Sequence, residues 1–473
     1  MSNSEINPEE EKVTRGVKTL RGDPRKAIIK LSGPMMLAMF VQTAYNLVDA
    51  IWVSGLGADS LAAVGLFFPF MMFLMGFSNG LGIGGGSAVS RRIGEKNKQD
   101  ADNTAIHTVI LTAGVSLFLT VLFLPFMGKI YTWMGAKGDI NRMATDYSTV
   151  ILGGLVFLFF TNMGNSLLRS EGDAKRAMYA IILGSVLNII LDPIFIYILD
   201  LKVVGAAWAT LVSIVITGII IFYWIFLRRD TYLDIRFRLF KPSKRIVGEI
   251  LRVGLPSSLS MISMSIAMYL LNIILIKSAG TNAVAVFTTG WRVVSIGTIP
   301  VMGIATGVTS VTAAAYGARE PAKLKIGYFY GIFLAVLIET TVAVFSFLFA
   351  GPISGIFTYA EGAKVIKVEL ISFLRWMAPL YPFIPMGMLT AAMFQGIGKG
   401  ERAFIVTFVR TIVLQVLISY FFSIVLDYGF LGVLWGVLIG NGVAVIVSFI
   451  WANLTLKKLF YILKPDLVPS FEK

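Results

Sequence analysis

The sequence contains no cysteine and only one histidine, His107. Without cysteine the chain can form no disulfide, no thiolate nucleophile and no cysteine-ligated metal site. A single imidazole also excludes metal sites that need several histidines. The loops carry no nucleotide-binding motif, which argues against direct ATP drive. These absences argue against an enzyme that acts within the membrane, and we expect no organic cofactor.

Charged residues are scarce as well, at 14%, whereas 56% of the 473 residues are hydrophobic and the mean hydropathy is +0.79. A soluble protein of this length needs more polar surface, so the composition indicates an integral membrane protein. The net charge of +14 does not indicate a nucleic-acid partner. Most of the basic residues lie in short segments between apolar runs, a distribution typical of membrane topology.

Twelve apolar runs are long enough to cross a bilayer. They lie at roughly 31–55, 61–90, 106–133, 143–169, 176–200, 203–227, 250–277, 284–312, 325–350, 367–396, 402–426 and 430–457. The connections on one side, which include both terminal segments, contain 31 of the 41 Lys and Arg residues. The positive-inside rule therefore predicts a multi-pass protein of the cell (inner or cytoplasmic) membrane with both termini in the cytoplasm. Residues 1–30 lack the short apolar segment and cleavage site of a signal peptide.

The two halves of the chain contain matching segments in the same order. The pairs are 31–34 with 253–256, 56–64 with 279–287, 172–177 with 398–403, and 205–208 with 432–435. Two repeats of six spans enter the membrane in the same orientation, which predicts a pseudo-two-fold axis along the membrane normal and a cleft between two bundles. The predicted division is a tail 1–30, an N-lobe 31–227, a linker 228–249, a C-lobe 250–457 and a tail 458–473.

Polar side chains form a stripe in the first apolar run. Gln42, Tyr45, Asn46 and Asp49 are spaced i, i+3, i+4 and i+7, so they share one face of a helix. An ionised carboxylate inside a membrane is costly unless it has a partner, a proton or a water-filled cavity. The stripe therefore predicts a functional site around Asp49.

Span 5 repeats this arrangement with Ser185, Asn188 and Asp192, followed by Pro193. Pro193 lacks an N–H, so the carbonyl of Ile189 loses its helical partner. Nearby spans add neutral oxygen donors, namely Thr161, Asn162, Asn165 and Ser166 in span 4 and Thr210, Ser213 and Thr217 in span 6. Carboxylates among neutral oxygens suit a proton or a hard cation such as Na⁺. Any one of the neutral groups can instead join helices by hydrogen bonds.

These features together resemble the multidrug and toxic compound extrusion (MATE) family, and specifically its DinF-like branch. The resemblance covers roughly residues 28–455 and rests on 34–57, 162–165, 168–173 and 188–193. It implies an all-α membrane fold of twelve helices, in which two six-helix lobes face each other across a V-shaped cleft. The NorM-like branch uses acids in spans 7 and 10, whereas residues 257–276 contain none and span 10 offers only Glu369, near its start.

The resemblance also implies roles for individual residues. It assigns coupling to a proton or to a cation such as Na⁺ to Asp49, Asn188, Asp192 and Thr210. Substrate binding in the N-lobe cavity falls to Gln42, Tyr45, Asn46, Tyr147, Asn162, Asn165 and Ser185. We expect conformational roles for Pro34 and Pro193, with span 1 bending near Pro34 when an entering cation neutralises the acids. The roles of Glu339 in span 9 and of the intramembrane arginines Arg292, Arg375 and Arg410 stay open.

The expected function is secondary active export of amphipathic, often cationic organic compounds in exchange for H⁺ or Na⁺. The expected partners are drug-like small molecules and the bilayer, and we expect the chain to act as a monomer. The alternative is a flippase for a lipid-linked substrate, which shares this architecture in the wider superfamily. A flippase would favour a cationic cleft, whereas the N-lobe offers acids and amides.

Overall fold

The computed structural model describes residues 13–228, 230–359 and 361–463. Helices make up the secondary structure of these residues, and no strand occurs among them. Eleven of the helices are long and apolar enough to cross a bilayer, and a bent pair adds a twelfth span. The prediction of an all-α membrane protein with twelve spans is confirmed.

The helix bounds define the two halves of the molecule. In the first half, span 1 is Pro24–Ser54, span 2 Ala58–Gly94, span 3 Lys98–Trp133, span 4 Gly138–Gly153 with Leu155–Ser170, span 5 Ala174–Ile198 and span 6 Lys202–Leu227. In the second half, spans 7 and 8 lie within Lys244–Gly297 and Ile299–Gly317, span 9 is Pro321–Leu348, span 10 Lys364–Gly396, span 11 Gly400–Val425 and span 12 Gly429–Leu463. Two short helices, Arg15–Arg21 and Ala350–Phe357, lie outside these spans. Gly280 has a φ of 79° and turns the chain from span 7 into span 8.

Several helices differ from the predicted boundaries. Span 1 begins at Pro24, inside the predicted tail 1–30, and span 3 begins at Lys98 instead of residue 106. Span 4, predicted as one run over 143–169, bends by 51° between its two helices, at Gly154. A Gly-Gly pair at 153–154 weakens the helix at this point, and glycine is a common cause of sharp kinks. The helix of span 7 begins at Lys244, inside the predicted linker, because Ile246 and Ile250 pack against Ala88 of span 2.

The two prolines with expected conformational roles lie in different surroundings. Span 1 runs through Pro34 as one continuous helix from Pro24 to Ser54. At Pro193 the regular helix of span 5 ends, and a π-helical turn, Ile194–Ile198, follows it. A π-helical turn widens the backbone locally, and such turns are frequent at functional sites.

The largest contacts between the lobes are made by two equivalent pairs of spans. Span 2 packs on span 7, and span 8 packs on span 1, so the pseudo-two-fold axis relates one pair to the other. Close approaches between spans 1 and 2 and span 8 join Met36 to Gly303, Ser32 to Gly307 and Gly94 to Ala314. All lie in the half of each span next to the basic loops. At the other end Trp52 contacts Tyr197 of its own lobe, with ring centroids 6.0 Å apart. The cleft therefore opens away from the basic end.

The basic end is sealed by close backbone contact and by ion pairs. A Cβ atom at Gly94 would collide with the carbonyl oxygen of Ala314, and one at Gly317 with that of Arg91. The Arg91 guanidinium donates to the carbonyl oxygen of Gly396 in span 10 at 3.1 Å. Arg92 pairs with Glu249 of span 7 at 2.9 Å. Small residues thus permit the lobes to approach, and charged side chains join them.

We expect Gly94→Ala to lower the free energy of unfolding by about 1–3 kcal/mol, because the added methyl group meets the backbone of span 8. The matched control is Gly114→Ala in span 3, where nothing lies within 4 Å of the added Cβ. That variant should change stability by less than about 1 kcal/mol. Thermal unfolding of both purified variants in detergent measures the difference. Equal stability of the two would contradict the close approach of the lobes.

Candidate functional site

Asp49 and Asp192 meet where span 1 packs along span 5. Their carboxyl groups lie within hydrogen-bonding reach of each other. Asp192 is completely buried, and Asp49 is half-buried. An ionised carboxylate only accepts hydrogen bonds, so a bond between two carboxyl groups requires one of them to carry a proton. The pair can therefore hold either a shared proton or a cation between its oxygens.

Asn188 connects this pair to span 6. It lies one helical turn before Asp192 on the same face of span 5. In the amide orientation that satisfies both of its ends, Asn188 donates to Oδ2 of Asp192 at 2.9 Å. Its side-chain oxygen then accepts from the backbone N–H and the hydroxyl of Thr210, each at 3.2 Å. The four residues expected to couple a cation are thus brought together from three spans.

The donor chemistry of this cluster fits Na⁺ as well as H⁺. Carboxylate, amide and hydroxyl oxygens are the ligands that hard cations prefer. Oδ1 of Asp192 is buried and has no hydrogen-bond partner among the described residues. A buried oxygen without a partner costs free energy, and a bound cation would remove that cost. Asp49, Asn188, Asp192 and Thr210 would be the residues that hold it.

Two tyrosines lie close to the acids. Tyr45 is one turn before Asp49 on span 1, and Tyr147 lies on the first helix of span 4. Both are near enough to Asp49 and Asp192 to interact with their charges. The Tyr147 ring packs edge-on against Phe67 at 5.5 Å, which fixes the ring beside the acids.

The other residues expected to bind substrate are more widely spread. Gln42 and Asn46 are exposed on span 1. Asn162 donates to the Ser78 hydroxyl at 3.0 Å, which joins span 4 to span 2. Asn165 is buried, and its Oδ1 has no partner among the described residues. Ser185 donates to the carbonyl of Ile181 on its own helix at 2.9 Å. Their roles in substrate binding stay predictions.

Glu339, in span 9 of the C-lobe, lies outside this cluster. It is completely buried, and neither carboxylate oxygen has a hydrogen-bond partner among the described residues. Of the intramembrane arginines, Arg292 and Arg375 are exposed, and Arg375 lies over the Phe347 ring at 5.8 Å. Arg410 is half-buried in span 11.

The sequence reasoning missed Glu171, which directly follows span 4 at the basic end. Its carboxylate accepts from the backbone N–H groups of Tyr232 at 2.8 Å and Leu233 at 3.1 Å. Gly16 of the short helix Arg15–Arg21 packs directly against the backbone of Glu171. Burial raises the pKa of Glu171 to about 8, although the two N–H groups favour the charged form. Glu171 lies in the short polar segment that connects spans 4 and 5, so nothing in the local sequence indicated its burial.

Comparison with known proteins matches both halves of the chain to one family model. The MatE family model matches residues 34–194 and, again, 256–421, one match in each lobe. Multidrug export protein MepA of Staphylococcus aureus strain MSSA476 is 26% identical over 432 residues, which cover 90% of this chain and 92% of MepA. The two family matches fall on the two repeats inferred from the sequence.

Solved structures give a closer likeness. One is described as the outward-facing conformation of a multidrug resistance MATE family transporter of the MOP superfamily. It is 52% identical, has a TM-score of 0.92, and covers 95% of this chain and 99% of its own. Another, a MOP superfamily transporter from Pyrococcus furiosus, has the same identity, coverage and TM-score. For that protein, a reverse polarity of the binding pocket is described as suggesting a different function.

We expect the contact between helix Arg15–Arg21 and Glu171 to weaken at alkaline pH. A carboxyl pKa raised from 4.5 to about 8 means that the folded arrangement favours the protonated form. The stabilisation is complete below the ordinary pKa and is lost as the pH rises through about 8. Tryptic cleavage after Arg15 and Lys18, normalised to the denatured protein at each pH, should increase from pH 7 to pH 9. In Glu171→Gln it should stay constant, and the same increase in that variant would contradict the assignment.

Proposed function

Because the chain belongs to the MATE family, whose members include multidrug efflux transporters, we propose that it exports amphipathic, often cationic organic compounds in exchange for H⁺ or Na⁺. The observation that carries this proposal is the contact between Asp49 and Asp192 beside Asn188 and Thr210. Two acids that share one site can exchange a proton or a cation without leaving the membrane interior. The location of both acids in the first lobe supports the DinF-like branch.

Coupling follows from the charge on this pair. When a proton or Na⁺ enters the pair, the negative charge that it holds decreases and the cost of burying it falls. Spans 1 and 5 can then pack more closely and reduce the N-lobe cavity. When the cation leaves, the pair becomes more negative, and a cationic substrate gains a partner in the same cavity. Entry of one cation therefore weakens binding of the other, which is the requirement for exchange.

Span 1 is the element through which we propose that this change reaches the cleft. It carries Asp49, it packs on span 8 of the opposite lobe, and it contains Pro34. A proline inside a helix removes one backbone hydrogen bond, which lowers the cost of bending at that point. The continuous helix then represents one state, and a helix bent at Pro34 represents the other.

The substrate is proposed to bind between span 1 and spans 4 and 5, where Gln42, Tyr45, Asn46, Tyr147, Asn162, Asn165 and Ser185 provide amide, phenol and hydroxyl groups. Aromatic rings beside acids suit cationic amphiphiles, because the ring faces attract positive charge. We further propose that the basic end faces the cytoplasm, since basic loops accumulate on that side. The cleft then opens outward.

The energetics are adequate for export. One elementary charge that crosses about 100 mV releases roughly 2.3 kcal/mol. That free energy supports on the order of a fiftyfold substrate gradient when the exchange moves one net charge.

We expect Asp49→Asn and Asp192→Asn to abolish cation-driven export, because an amide cannot exchange a proton and provides a weaker cation ligand. The measurement is dye efflux from proteoliposomes with a pH gradient and a Na⁺ gradient imposed separately. The gradient that drives wild-type efflux identifies the coupling ion. The matched control is Asp139→Asn, an exposed acid in the first turn of span 4 that should leave efflux unchanged. Full efflux by Asp49→Asn at normal protein level would end this proposal.

A flippase for a lipid-linked substrate is the second candidate, and Arg410 is the observation that favours it. Arg410 approaches Gly387 of span 10 and forms no ion pair among the described residues. An unpaired guanidinium in a half-buried position suits the diphosphate of a lipid carrier. A lipid-scrambling assay in vesicles, run beside dye efflux, separates the two functions. Scrambling that is lost in Arg410→Gln, without any dye efflux by the wild type, would favour the flippase.

A further inference from the structure

A groove of about 530 Å³ lies at the basic end of the bundle, apart from the acid pair. Its lining includes Arg25 at the start of span 1, Lys325, Phe329 and Tyr330 near the start of span 9, and Phe460 near the end of span 12. All three helix ends lie at the same face of the protein, where the basic loops are. The volume is within the range of about 300–1,000 Å³ that is typical of ligand sites.

The walls of the groove are apolar and aromatic, and they join the two lobes. The Phe329 ring packs edge-on against Phe449 of span 12, with centroids 5.9 Å apart. Gly327 faces Pro24, so span 9 of the C-lobe lies directly against the start of span 1 of the N-lobe. Aromatic side chains at this level of a membrane protein are typical of the boundary between acyl chains and headgroups.

The two charges at the groove are both positive. Arg25 and Lys325 are exposed, and neither forms an ion pair within the part of the chain that the structure describes. The ammonium group of Lys325 lies 6.0 Å from the centroid of the Phe329 ring. The acids nearest along the chain form no ion pair with either of these side chains among the described residues. Asp23 accepts the backbone N–H of Arg25 at 2.9 Å, and Glu320 pairs with Lys323 at 2.7 Å.

We propose that this groove binds an anionic phospholipid from the leaflet at the basic end. The headgroup phosphate is held between Arg25 and Lys325, and the acyl chains lie along Ile326, Phe329 and Phe460. A guanidinium binds phosphate with two parallel hydrogen bonds, and an ammonium group adds a point charge. Basic pockets between transmembrane helices at the cytoplasmic side are a known form of lipid recognition.

Lipid in the groove has a consequence for the conformation of the protein. One wall belongs to the N-lobe and the others to the C-lobe, so the groove keeps this shape only while the lobes are closed at the basic end. A ligand that binds one conformation better than another shifts the population toward it. An anionic lipid therefore stabilises the conformation in which the cleft opens away from the basic end.

The test compares Arg25→Gln/Lys325→Gln with a control pair that loses the same charge elsewhere on the basic end, Lys175→Gln/Lys244→Gln. Both control lysines are exposed and outside the groove. The measurement is binding of phosphatidylglycerol to the detergent-purified protein, followed by native mass spectrometry. We expect roughly thirtyfold weaker binding in the groove variant. The control should bind like the wild type, and Arg25→Lys/Lys325→Arg should keep most of the affinity.

Two further measurements identify the source of the phosphate and exclude a folding defect in the variants. Phosphatidylcholine should bind much more weakly than phosphatidylglycerol, and millimolar inorganic phosphate should not compete with it. In lipid-free detergent all variants should have the wild-type Tm, and phosphatidylglycerol should raise the Tm of the wild type and the control only. Equal lipid binding in the groove variant, equal losses in the control, or competition by inorganic phosphate would each overturn the proposal.

Discussion

The contact between Asp49 and Asp192 is the interaction on which the N-lobe depends. Two carboxyl groups within the membrane cannot both be ionised and unpartnered without a large cost in free energy. The surrounding residues reduce that cost, because Asn188 donates a hydrogen bond to Asp192 and accepts hydrogen bonds from Thr210. Because these partners come from spans 1, 5 and 6, any change in the charge of the pair acts on three helices at once.

The second constraint is that the lobes must close at one end and separate at the other. Gly94 and Gly317 permit backbone contact at the basic end, and the Arg92–Glu249 pair holds two spans together there. The opposite half of span 1, which carries the acid, contacts its own lobe. One helix therefore links the acid pair to the sealed end, and it crosses Pro34 on the way. The groove at Arg25 and the buried Glu171 lie at that same end.

The sequence predicted much of the fold because its signals are periodic and long. Runs of apolar residues located the spans, and the repeated segments located the two lobes. The i, i+3, i+4, i+7 spacing placed Tyr45 and Asp49 on one face before any contact was known. The sequence did not predict the features that depend on contacts between distant parts of the chain. The bend at Gly154 divides one apolar run, and helix 244–297 extends into the linker because Ile246 and Ile250 find partners on span 2.

The same limit applies to the sites. Spacing along span 5 joined Asn188 to Asp192, whereas Thr210 was only one of several oxygen donors in span 6, and the packing of span 6 is what brings it to them. Glu171 and Arg25 look like ordinary charges of a cytoplasmic loop in the sequence. The first becomes distinctive because residues 232–233 and a short helix cover it, and the second because three helix ends form a groove around it.

The most direct test of the acid pair as an exchangeable cation site is the number of cations that purified protein releases when a transported dye binds. A pH-sensitive indicator and a Na⁺-selective electrode measure both ions in weakly buffered detergent solution. The account predicts release of H⁺ or Na⁺ in proportion to bound dye, and none from Asp192→Asn. Dye binding by the wild type without release of either ion would contradict it.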